Sequence, residues 1–164
     1  MNDLSKLTAS AGVVIAASPE TLYDMLTDIT RMGEWSPVCI ASWWDEGAGP
    51  TVDSWFTAKN ALPDREFENR SQVVVAHRPE EFAWIVGGID EGHARWGYTF
   101  TPVEGGTRVD ESWAMVRVTD RIREMTDERA AGLVARGRAG IETTLANLKR
   151  VAEASVAQVP AGGS

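Results

Sequence analysis

Cysteine is almost missing from this chain of 164 residues: Cys39 stands alone, so no intrachain disulfide can form, which suits a reducing compartment. Beside Pro37 at a strand start, it reads as a small buried filler and not as a nucleophile. Histidine is scarce as well, with only His77 and His93. Two histidines without a third ligand at metal spacing argue against zinc, and no metal site is expected. No apolar run approaches the ~20 residues of a membrane span. The first twenty residues lack the basic start, long apolar stretch and cleavage site of a secretory signal, so a cytoplasmic location is expected. The glycosylation-like "NRS" at 69–71 is then a chance match. Positive charge is also short, with 16 basic residues against 24 acidic and a net charge of −8. That balance disfavours phosphate backbones. There is no glycine-rich phosphate loop, nucleophile elbow or HExxH pattern, and no cofactor is expected.

What the chain does have is tryptophan, seven in all. Stacked-base recognition uses such rings but needs a basic groove around them, whereas "SWWDEG" and "VDESW" are acidic. Nucleic acid is excluded as a partner. One domain over residues 9–156 fits the length, with 1–8 and 157–164 as flexible termini and "VPAGGS" as a frayed tail.

The β-branched run within 9–17 predicts a first strand. Ser18 as N-cap, Pro19 at the first helical position and Glu20 in the first turn then predict a helix with Leu22, Met25 and Leu26 as its apolar stripe. A second short helical segment around "ITRMGEW" is broken at Gly33. Strands follow near 38–45, 52–60, 69–77, 81–87, 94–102 and 107–116, separated by turn signals close enough to imply an antiparallel meander. After Val118 the pattern becomes helical. Leu133, Gly137, Ile141, Thr144, Leu148 and Val151 recur at three and four, which is one face of a long terminal helix.

"RWGYTFTPVEGGTRVDESW", residues 95–113, raises the functional question. A loop of even length, either Gly105-Gly106 or Val103 to Gly106, places Trp96, Tyr98 and Phe100 on one face with Val109, Glu111, Trp113 and Met115. A carboxylate then sits within an aromatic, inward-looking face, near Tyr98 or Phe100. Either Glu111 lies near the open end of the sheet, solvated or paired with an arginine such as Arg70 or Arg95, or it is a pocket carboxyl with a raised pKa. Phe82 and Trp84 share a face of their strand, Phe56 shares one with Ser54 and Ala58, and Trp35 closes the short helical segment. Gly132, Gly137 and Gly140 each cost ~1 kcal/mol in a helix relative to alanine, so they imply either close helix–sheet approach or room for a ligand.

The words "ASPETLYDMLTDITRMGEWSP", "FAWIVGG" and "RWGYTFTPVEGGTRVDESW", with the long terminal helix, resemble the START-related superfamily. Its members include polyketide cyclases and dehydratases, the birch pollen allergen family and lipid-transfer domains. The resemblance covers residues 9 to 155 and is nearest to the small bacterial polyketide cyclase/dehydratase type. It implies an α+β helix-grip fold, with a curved antiparallel sheet of about seven strands wrapped around the C-terminal helix and two short helices after the first strand. It supplies no universal catalytic motif, because the scaffold hosts binders, carriers and enzymes.

Together these readings predict a small apolar or aromatic ligand, polyketide- or lipid-like, in a cavity between sheet and helix. Its expected lining is Trp35, Phe56, Phe82, Trp84, Trp96, Tyr98, Phe100, Glu111, Trp113, Gly137 and Ile141. A cofactor-independent cyclase or dehydratase is the alternative, with Glu111, Tyr98 or His93 in acid–base roles. A protein-interaction domain of the Hsp90-activator-related type is a third class. His77 reads as a solvated loop residue, Arg129, Arg136 and Arg138 as the helix's solvated face, and the chain as a monomer or homodimer.

Overall fold

The computed structural model describes residues 3–157. Thr8–Ile15 forms the first strand, β1. Residues 3–8, expected in a flexible terminus, are instead tied down: Asp3 caps a 3-10 turn at Leu4–Lys6, and Leu7 is fully buried. The expected frayed tail "VPAGGS" lies outside the described residues. Ser18 caps α1 (Pro19–Thr27) as its sequence predicts, its hydroxyl oxygen accepting from the Thr21 N–H at 3.2 Å. Leu22, Tyr23, Met25 and Leu26 turn inward from that helix. The second short helical segment, Ile29–Glu34, is a 3-10 helix that ends at Trp35, consistent with a glycine in its last turn.

Six further strands follow: β2 (Cys39–Trp44), β3 (Trp55–Leu62), β4 (Arg65–His77), β5 (Glu81–Val86), β6 (Ala94–Val103) and β7 (Gly106–Met115). A single helical turn, α2 (Gly88–Glu91), interrupts the β5–β6 connection, and α3 (Asp120–Arg123) precedes the long α4 (Asp127–Ala157). All pairings are antiparallel, in the order β1-β7-β6-β5-β4-β3-β2. The first strand therefore joins the meander at its far side, beside β7.

The β6–β7 hairpin fixes which side chains look inward. Val103 pairs with Gly106 around the turn Glu104–Gly105, an even loop, and this sets Tyr98 directly opposite Glu111 and Trp96 opposite Trp113. Gly105 has φ 87°, a left-handed conformation that glycine adopts at no steric cost. At Gly106 a Cβ would collide with the Ile15 carbonyl, so glycine lets the hairpin end close against β1. Along β7, Thr107, Val109, Glu111 and Trp113 are all buried, as the alternation predicts.

α4 lies chiefly over β1, β7 and the Ile29–Glu34 helix. Ala130, Ile141, Thr144, Leu145, Leu148 and Ala152 are its buried residues. Ile141 and Leu148, almost fully enclosed, each contribute about 2 kcal/mol of apolar burial. Leu133 and Val151, also on the expected stripe, are only partly buried at its margin. Asn147 ties the helix to the aromatic side of the fold by donating to the Trp35 carbonyl at 3.1 Å.

Candidate functional site: a ring-lined cavity with one buried acid

Between the concave face and the middle of α4 lies a cavity of about 310 Å³. Strand alternation supplies its rings. Phe56 on β3, Phe67 on β4, Trp84 on β5, and Trp96 and Tyr98 on β6 line it, and Trp35 closes it from the end of the 3-10 helix. The rings brace one another edge to face or tilted, with Phe56 5.8 Å and Tyr98 5.9 Å from Trp84 between centroids. On the helix side Gly137, Gly140 and Thr144 face the space. A Cβ at Gly140 would meet nothing within 4 Å, and one at Gly137 would sit 3.5 Å from Trp113, an ordinary contact. Close helix–sheet approach therefore does not require either glycine. What they leave is room.

Glu111 is the polar centre of this wall. Its side chain is 4% exposed, which excludes the solvated strand end. Neither suggested arginine reaches it: Arg95 pairs with Glu81 at 3.1 Å, while Arg70 pairs with Asp45 at 2.6 Å and stacks over Trp55. Instead the Tyr98 hydroxyl donates to Glu111 Oε1 at 3.2 Å. Oε2 is the one buried side-chain polar atom among the described residues without a hydrogen-bond partner. Burial pushes the Glu111 pKa up to about 8, against the smaller downward pull of the Tyr98 hydrogen bond. Burial likewise holds Tyr98 well above the usual phenol range, reinforced by the neighbouring Glu111. At neutral pH the pair thus keeps its protons in a buried setting.

Seven of the eleven expected lining residues border the cavity: Trp35, Phe56, Trp84, Trp96, Tyr98, Glu111 and Gly137. Four do not. Phe82 and Phe100 are on the expected face, but α1 covers that part of it, and Tyr23 packs against both at 6.3 and 5.7 Å. Trp113 fills the space beneath Gly137, and Ile141 is 1% exposed within the core. His93 is exposed just before β6 and does not line the cavity. Arg136 is exposed as expected but also borders the opening. Among the residues that sequence reasoning missed, Asn60, Asn69 and Ser71 form a second polar edge on β3 and β4. Their signal was present in the alternations Phe56-Ala58-Asn60 and Phe67-Asn69-Ser71-Val73. Only Phe67 falls outside the expected strands, because β4 begins at Arg65, four residues before the expected start. Met32 and Ser36–Val38, in the connection from α1 to β2, and Val86 at the end of β5 also line the cavity.

The model of the family described as polyketide cyclase / dehydrase and lipid transport matches residues 6–153. The chain belongs to this family. A polyketide-cyclase-like protein of Corynebacterium glutamicum is 34% identical over 96% of this chain and 98% of its own, with a TM-score of 0.64. The di-domain ARO/CYC StfQ from the steffimycin biosynthetic pathway shares the fold at a TM-score of 0.72 and 17% identity, over 94% of this chain and 53% of its own. An AHSA1-like protein of Aeromonas hydrophila does so at 0.64 and 21%, over 96% of this chain and 99% of its own. No curated protein matches. The architecture is the helix-grip fold of the START-related superfamily. Among the described residues, no helix is long and apolar enough to cross a membrane.

Proposed function

We propose that this polyketide cyclase/dehydrase family member binds a small, largely apolar or aromatic molecule, polyketide- or lipid-like, in the cavity, with Glu111 as its polar anchor. The observation that carries the reading is the pairing of a ring-lined pocket with a single buried acid among the described residues. A volume of about 310 Å³ is at the lower end of the range of small-molecule pockets, and a few convergent polar groups in an apolar wall are their usual lining. The test is titration with the uncharged dye N-phenyl-1-naphthylamine, read by dye emission and tryptophan quenching. Trp84→Leu and Trp96→Leu should weaken binding several-fold while melting cooperatively. Equal affinity in both variants would mean that these rings only fill the core.

A second reading makes the same site catalytic, a cofactor-independent cyclase or dehydratase with Glu111 as general acid. It is favoured by the convergence of Tyr98 and Glu111 on one point, with burial holding the acid protonated near neutral pH. Glu111→Gln separates the two, because the amide keeps a donor and the shape but transfers no proton. Retained binding with turnover abolished is the catalytic outcome; retained binding with no turnover in the parent either is the carrier outcome. The interaction-domain reading has no comparable support, since the large exposed apolar side chains are spread over β1, β2, β3, α2, β6, α4 and connecting segments.

A further inference from the structure

Glu111 lines the cavity, and its Oε2 is buried with no hydrogen-bond partner among the described residues. Its sister oxygen already accepts from Tyr98, whose one hydrogen is thereby used. The titratable groups lining the cavity are Glu111, Tyr98 and Arg136, from β7, β6 and α4, and among the described residues no ion pair joins a cation to Glu111. An ionised carboxylate enclosed without a cation costs far more than a neutral acid, and burial moves this group in that direction. A neutral carboxyl whose Oε1 accepts carries its hydrogen on Oε2. That hydrogen has no acceptor among the described residues, and the residue that carries it lines the cavity.

We propose that the Oε2 edge of Glu111 is an acceptor-recognising subsite: the neutral acid donates its hydrogen to a carbonyl-type oxygen of an uncharged aromatic ligand. The inference rests on the pocket reading above and narrows its ligand class to aryl ketones and similar acceptors, against carboxylic acids and amines. A carboxylic acid entering as its anion would bring a second negative group toward Glu111. An ammonium would need Glu111 ionised, and would then bind better as pH rises.

Three probes sharing one ring system test this: naphthalene, 1-acetonaphthone and 1-naphthylmethylamine, titrated by tryptophan quenching at pH 6 and pH 9.5. At pH 6 the ketone should bind about fivefold to tenfold tighter than the hydrocarbon, the worth of one hydrogen bond. At pH 9.5, with Glu111 ionised, that preference should vanish. Glu111→Gln, which keeps a donor at every pH, should hold the ketone preference at both values, and Glu111→Leu should lose it at both. If Glu111→Leu fails to melt cooperatively, the pH profile of Glu111→Gln decides alone. Saturable naphthalene binding with no ketone preference at pH 6 overturns this inference and leaves the pocket reading standing. Preference for the amine that strengthens with pH also overturns it. If none of the three probes binds, the pocket reading fails and the inference goes with it.

Discussion

A carboxyl 4% exposed, with one oxygen bonded to a phenol and the other unpartnered, should leave its mark on stability as well as on binding. The folded-state pKa of Glu111 stands at about 8, above the ordinary carboxylate range near 4.5. Between those values the native state holds a proton that the unfolded chain has released. Stability contributed by this group is therefore full below about pH 4.5 and lost as pH rises toward 8, at up to ~1.4 kcal/mol per pH unit. Measured by urea unfolding, the parent should lose about 2 kcal/mol relative to Glu111→Gln between pH 5.5 and 7.5, the comparison cancelling the carboxylates common to both. Parallel pH profiles for the two proteins would show that Glu111 ionises in the native state as it does in the unfolded chain.

At the scale of elements, the middle of α4 has given up helix propensity for space. Gly140 is within the helix, lines the cavity, and has nothing within 4 Å of where a Cβ would stand. Gly140→Ala should stabilise the protein by about 0.5–1 kcal/mol, since alanine is the better helix former and meets no obstacle. Gly140→Leu should fill part of the cavity and weaken N-phenyl-1-naphthylamine binding several-fold, with cooperative unfolding retained. Unchanged affinity in the leucine variant would place the dye elsewhere. Which strands exist, and which face of β6 and β7 looks inward, could be read from period-two alternation and an even hairpin loop. Which part of that face stays open could not. Phe82 and Phe100 obey the same alternation as Trp84 and Tyr98, yet Tyr23 from α1 covers them. Only the docking of α1 and α4, a tertiary matter, separates core from cavity. The same holds for Asn60, Asn69 and Ser71, which share the inward face of Phe56 and Phe67 by alternation and cross-strand pairing, but whose place beside an open space depends on that docking.

Across the whole molecule, tryptophans sample every environment the fold offers. Trp35, Trp84 and Trp96 line the cavity, Trp113 is packed beneath α4, and Trp44 packs edge-on to Phe56. Trp43 and Trp55 are on the other side of the sheet, the first 42% exposed and the second under the Arg70 guanidinium. Their indole N–H resonances form a built-in map of where a ligand goes. The most direct test of the account is an assigned ¹⁵N-correlation spectrum followed through a titration with 1-acetonaphthone at pH 6. Ligand in the cavity should shift the indole signals of Trp35, Trp84 and Trp96 saturably and together, leaving Trp43 and Trp55 in place. Shifts confined to Trp43 and Trp55, with the three lining signals unmoved at saturation, would contradict it.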